Sequence, residues 1–191
     1  MRSLQGENMS SQSHGAISIN RTTLTFWSTR SLAFQAMLIA LAVILPAIAH
    51  LTNAPVRILL PMHWPVILAG LVYGWRGGAL AGLLSPLVSY LVSGMPLPAI
   101  LPAMTAELCV YGLITGLMRE TLKLNRFLSV AFALIIGRIV FVFFVFLGSA
   151  VEHSYGQYFG EALIPGIAAG TGQIILLPLI SAWWINKSRN N

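Results

Sequence analysis

Aspartate does not occur in these 191 residues, and acid is confined to five glutamates: Glu7, Glu107, Glu120, Glu152 and Glu161. A two-carboxylate hydrolase or a two-metal centre needs acidic groups converging on one point, and this chain has almost nothing from which to build one. Charge of either sign is scarce: 8% of residues are Asp, Glu, Lys or Arg, where a soluble domain carries about 25%. That excludes an ordinary soluble globule. The one cysteine, Cys109, lies inside an apolar run, which excludes a disulfide scaffold. The chain has no Walker A loop, paired metal-ligand motif or Gly-x-Ser-x-Gly elbow. His50 and His63 are separated along the chain without a supporting carboxylate and read as interfacial side chains. Neither catalysis nor a resident metal or cofactor is expected, and without a nucleotide site the chain cannot use ATP by itself.

What is present is apolar: 57% of residues are hydrophobic, so the chain is not disordered either, and the remaining solvent is the bilayer. Residues 1–29 form a polar tail without apolar periodicity. Beyond it the apolar runs fall at residues 32–49, 58–73, 77–92, 98–118, 127–149 and 159–185. The expected fold is an all-α integral membrane protein, a single compact bundle of six transmembrane helices over residues 30–186, followed by a short tail at 187–191. Ala47-Ile48-Ala49 has the look of a signal-peptide cleavage site, but the run before it is too long and starts too late.

Short loops rich in Lys and Arg stay on the cytoplasmic side. With the N-terminus inside, six spans place Arg2, Arg21, Arg30, Arg76, Arg119, Lys123, Arg126, Lys187 and Arg189 in cytoplasmic segments and only Arg57 in an outer loop. Both termini are therefore expected in the cytoplasm of a cell whose plasma membrane, prokaryotic by this reading, holds the chain. The same layout puts Trp27, Trp183 and Trp184 at the inner interface and Trp64, Tyr155 and Tyr158 at the outer one, as aromatic belts require. The net charge of +6 forms no basic tract, so nucleic acid is not an expected partner.

The second and third spans are short and carry Pro61, Pro65 and Pro86, a pattern that borders binding sites in membrane proteins and also occurs in kinked packing helices. Glycines four apart, at Gly78 and Gly82, Gly112 and Gly116, and Gly166 and Gly170, permit close approach of helix backbones. Counting inward from the ends of their helices at 1.5 Å per residue places Glu107 and Arg138 at matching depth near mid-bilayer. A lone charge there costs at least roughly 2.5 to 3.5 kcal/mol, so the two are expected to pair. Tyr111, one turn along from Glu107, and Gln173 of the last span reach similar depths.

The order Leu60-Pro61-Met62-His63-Trp64-Pro65 leading to Tyr73-Gly74, then Gly77-Gly78 and Gly82, Ser85-Pro86, Ser93-Gly94-Met95-Pro96, Glu107-Leu108 and Tyr111-Gly112 resembles the substrate-binding membrane subunits, or S components, of energy-coupling factor (ECF) transporters. The likeness covers about residues 32–185 and implies a six-helix fold with both termini inside. It also implies capture of a water-soluble vitamin or related micronutrient from the outer side, and delivery through a transmembrane coupling subunit driven by a pair of ABC ATPases. The family's small-residue docking motif is matched by Ala36 and Ala40, which extend to a stripe of Ala33, Ala36, Ala40, Val43 and Ala47 on one side of the first helix; the same stripe could pack against the protein's own helices.

On this sequence the implied outer pocket falls at residues 50–57, at Met62, His63 and Trp64, at residues 93–98 with Met95, and at residues 152–161 with Tyr155. Aromatic rings supply stacking area there, while Asn53, Arg57, His63 and Gln157 supply orienting hydrogen bonds. Glu107, Tyr111, Arg138 and Gln173 are candidates for the pocket floor or for helix packing alone. The adjacent Met62 and His63 bring to mind a metal-bearing macrocycle, and the lack of a basic cluster outside argues against a heavily phosphorylated ligand. Two other classes remain open. One is a self-sufficient proton-coupled transporter using Glu107 as coupling acid; the other is an intramembrane enzyme or a structural subunit.

Overall fold

The computed structural model of the chain describes residues 22–147 and 155–190, apart from the side chains at position 57 and positions 155–165. The described residues are helical without strands: α1 (Thr29–Leu51), the four-residue α2 (Val56–Leu59), α3 (His63–Ser93), α4 (Leu101–Glu120), α5 (Arg126–Leu147) and α6 (Tyr155–Asn190). Among them are 5 helices long and apolar enough to cross a membrane.

The boundaries follow local chemistry. α1 starts earlier than its apolar run because the Ser28 hydroxyl accepts a hydrogen bond from the Ser31 N–H at 3.1 Å, capping an otherwise unpaired donor. Asn125 does the same before α5, its Oδ1 accepting from the Phe127 N–H at 3.1 Å. Pro102 sits in the first turn of α4, where a missing N–H costs nothing. The expected second span, 58–73, does not form one helix. Leu60 takes a left-handed conformation (φ 44°) that closes α2, and helix resumes only at His63, with Pro65 tolerated in the new first turn.

α3 is two limbs. At Gly74 the backbone turns to φ 77°, ψ −171°, and residues on either side of it reach the same level of α4. A Cβ on Gly70 would lie 2.6 Å from the Gly112 carbonyl oxygen, and a Cβ on Gly78 would strike that same oxygen. His63 meets Glu107, while Gly82 lies against the backbone of Leu108. In a straight helix Gly70 and Gly78 would stand about 12 Å apart; the chain therefore reverses, and residues 63–73 run antiparallel to 75–93. Gly74 is required twice over. Its φ is one that side-chain-bearing residues avoid, and a Cβ there would collide with the Glu120 carboxylate. That carboxylate accepts the Trp75 N–H at 3.4 Å, satisfying a donor freed by the turn.

Residues 63–73 form the centre of the bundle. Val66, Ile67, Ala69, Leu71 and Val72 are fully buried, as expected of a segment apolar on every side. They pack with Leu38 and Ala42 of α1, Leu108 and Tyr111 of α4, Val130 of α5 and Leu177 and Ile185 of α6. α1 and α5 lie at the edge and expose long apolar faces that include Ile44, Ile48, Phe132, Ile139 and Phe143.

The end of the bundle at Gly74 is closed and basic. Arg76 follows the turn, Arg119, Lys123 and Arg126 surround the α4–α5 connection, Arg30 starts α1, and Lys187 and Arg189 end α6. Residues 22–28, read from sequence as part of a loose tail, run across this end as a strap. Leu24 N–H donates to the Val72 carbonyl at 2.7 Å and the Thr22 hydroxyl to the Arg119 carbonyl at 2.6 Å. Arg119 in turn donates to the Leu124 carbonyl.

Candidate functional site

At the opposite end the helices part around a cavity of about 790 Å³. α1 contributes Pro46, Ala47, His50 and Leu51, the α2 region Val56, Leu60, Pro61 and Met62, and the two limbs of α3 His63, Ser89 and Ser93. The α3–α4 connection and α4 add Met95, Pro96, Leu97, Ile100 and Met104. Gly94, left-handed at φ 73°, ends α3 and lets the connection turn over the opening. Among the described residues the wall is almost entirely carbon and sulfur, with two histidines and two serines as its polar members. Met62, His63 and Ser89 are buried at the inner side, whereas His50, Leu51, Ser93 and Leu97 are exposed at the rim.

Behind His63 lies a cluster of ionisable groups. Glu107 is 2% exposed; its Oε1 accepts from the Tyr111 hydroxyl at 2.7 Å and stands 3.3 Å from Arg138 Nη1. Its Oε2 lies 3.7 Å from His63 Nε2. The Glu107–Arg138 pairing expected from helix depth is thus present, with His63 as a third member. Two glycines make room for it. A Cβ on Gly137 would enter the Tyr111 ring, and one on Gly166 would lie 2.9 Å from Arg138 Nη2. Gly166 therefore accommodates a guanidinium instead of a neighbouring backbone, and among the described residues Gly170 meets only a Leu134 methyl at 3.6 Å. The close-approach role holds for Gly78, Gly82, Gly112 and Gly116, each of which meets backbone atoms of another helix or limb.

Of the other residues singled out by sequence, Met62, His63 and Met95 line the cavity. Trp64 turns away from it: its indole N–H donates to the Leu59 carbonyl at 2.9 Å, and the ring lies against α6 at Gly172. Asn53 is exposed in the loop after α1, left-handed at φ 52°, with its N–H on the His50 carbonyl. Gln173 is fully buried, and neither end of its amide has a hydrogen-bond partner among the described residues. The side chains of Arg57, Tyr155 and Gln157 lie outside the described residues, as do residues 148–154. Ala33, Ala36 and Ala40 are exposed on the side of α1 opposite the buried Ser31, Gln35, Leu38 and Ala42. Sequence reasoning missed Met104 and Ser89. Met104 is one turn outward from Glu107, a helical spacing that signals a shared face.

The family model for the substrate-specific component of ECF transporters matches residues 30–186. The chain belongs to that family. No curated protein and no solved structure matches it. As an ECF S component the protein is a multi-pass membrane subunit of a transporter, which implies a small-molecule substrate and an energising module as partners. For an S component the chemistry required of the site is recognition alone, and the arrangement suits it: a large apolar cavity with few, fixed polar groups at its buried end.

Proposed function

We propose that this S component captures a vitamin-like micronutrient in the cavity between α1, α3 and the α3–α4 connection, and hands it to a transmembrane coupling subunit driven by a pair of ABC ATPases. The observation that carries this reading is the opposition of the cavity to the basic end of the bundle. Seven of the eleven basic residues gather at the Gly74 end, and short basic segments face the cytoplasm; a cavity at the other end then opens outward, where the nutrient is. On this reading both termini are cytoplasmic, and residues 30–186 form one bundle in a prokaryotic plasma membrane. The chain crosses six times, the short limb 63–73 and the α2 region together making the second crossing.

Substrate contact is assigned to Met62, His63 and Met95, with Glu107, Tyr111 and Arg138 beneath them. Asn53 belongs to the outer loop and Arg57 to α2, and Trp64, Tyr155 and Gln173 to the α6 side. The exposed face of Ala33, Ala36 and Ala40 is assigned to the coupling subunit, whose helix could approach closely where no side chain intervenes. Glu107 is engaged by Arg138 and Tyr111, which speaks against its use as a proton-coupling acid. Replacing Ala36 or Ala40 by Trp is expected to abolish uptake in cells carrying the coupling module while ligand binding to the isolated subunit persists. Uptake that continues without the coupling module and collapses with a protonophore would instead establish a self-sufficient proton-coupled transporter.

A further inference from the structure

Resting on that reading, the wall of the cavity narrows the class of ligand. Among the described residues none that lines it is Lys, Arg, Asp or Glu. The nearest formal charges, Glu107 and Arg138, are committed to each other at 3.3 Å, and a third, unpaired charge brought into such a site would lose its hydration without compensation. Phosphate esters and free carboxylates are thereby disfavoured as ligands, and so are permanent cations.

Two buried polar side chains line the cavity, Ser89 and His63, and His63 is the one whose polar atoms lack a partner. It is 2% exposed, it lines the cavity, and neither ring nitrogen has a hydrogen-bond partner among the described residues. Glu107 Oε2 stands beside Nε2, which favours the proton on that nitrogen and leaves Nδ1 as a bare acceptor. A buried acceptor without a partner is costly, so the occupant that stabilises this site is one that offers it a donor. The same cavity is lined by Met62, Met95 and Met104. Methionine sulfur makes favourable contacts with ring edges, and the unbranched side chain re-packs around different shapes.

We propose that the ligand is an uncharged ring compound whose polar edge donates an N–H or O–H hydrogen bond to His63 Nδ1 while its apolar body lies against Met62, Met95 and Met104. Selectivity is strict at the histidine and tolerant along the methionines.

The test offers the full-length protein in lipid nanodiscs an equimolar mixture of matched pairs: riboflavin and its 5′-phosphate, pyridoxine and its 5′-phosphate, nicotinamide and nicotinate. Retained compounds are identified by mass spectrometry and their affinities then measured singly. The expected result is retention of an uncharged member, its charged counterpart binding at least about 10-fold more weakly. His63→Leu should weaken binding by about 10-fold or more, the loss of one buried hydrogen bond. His63→Asn, whose amide oxygen can stand near the place of Nδ1, should recover most of it, with melting curves showing both variants folded. Preferential retention of a charged member, retention of none of the uncharged ones, or His63→Leu binding as well as wild type would overturn the proposal. These outcomes concern binding to the isolated subunit. They are separable from failure of the transport reading, which shows as uptake independent of the coupling module.

Discussion

At the Gly74 end of the bundle, helix backbones touch. Gly78 lies on Gly112, Gly116 lies on Trp75, and a strap of residues 22–28 is hydrogen-bonded across the top. At the other end the same helices stand apart around about 790 Å³ walled by methionine, proline and leucine. Both ends draw on the α3 hairpin and α4, joined at the open end by α1 and the α2 region, yet glycine faces glycine at the closed end and flexible or bulky side chains face one another at the open end. The lesson concerns where rigidity is placed. A bundle clamped at one end by backbone contact can hold a cavity open at the other without collapsing into it, and the polar cluster of His63, Glu107, Tyr111 and Arg138 marks the boundary between the two regimes.

The strongest way to break this contrast is to force the clamp open. Gly112→Leu puts a side chain where the Gly78 backbone stands, and neither limb can yield without moving the other. Overpacking costs typically 1 to 3 kcal/mol, and about 3 or more is expected where the obstacle is backbone. Most of the protein should fail to elute as a single species after detergent extraction, and a wild-type melting temperature would show that the backbones are not in contact.

The boundary is tested next. Glu107→Gln and Arg138→Gln should each destabilise the solubilised protein by a few kcal/mol, because each leaves a charge buried without its partner, and the double variant should recover part of the loss. Additive losses in a thermal-melt cycle would show that the two residues do not stabilise each other.

The smallest effect is expected at the closed end's periphery. Ser28→Ala removes the cap of α1 and should cost about 1 kcal/mol, with ligand affinity at the far end unchanged. A comparable loss of affinity would mean that the two ends are not mechanically separate.

Much of this was legible without coordinates. The apolar runs 98–118 and 127–149 anticipate α4 and α5 to within a few residues, and counting depth along those helices was enough to bring Glu107 to Arg138, because mid-bilayer charges have few ways to be satisfied. The direction of Trp64 was not legible. Sequence places it beside His63, but successive helical residues point about 100° apart, and it is the rotation of the whole limb that sends one ring to the cavity and the other to Gly172. The strap escaped notice because its hydrogen bonds go to carbonyls of Val72 and Arg119, and nothing in residues 22–28 encodes a partner that far along the chain. The role of Gly166 escaped for the converse reason: a glycine that makes room for an arginine looks the same in sequence as one that makes room for a helix.

The reversal at Gly74 also has a meaning in time. Residues 63–73 are about 16 Å of helix, roughly half of a hydrocarbon core, and they end up with protein on every side. Most of that covering comes from segments synthesised afterwards: the return limb, then α4, then α5 and α6. α1 precedes this limb in the chain and the other covering helices follow it, so the future centre of the protein is made before most of the residues that will enclose it. His63 waits some forty residues for the carboxylate that will stand beside it. From His63 onward the order of synthesis therefore runs from the inside outward, and the glycine face of α4 is made after both limbs that it meets.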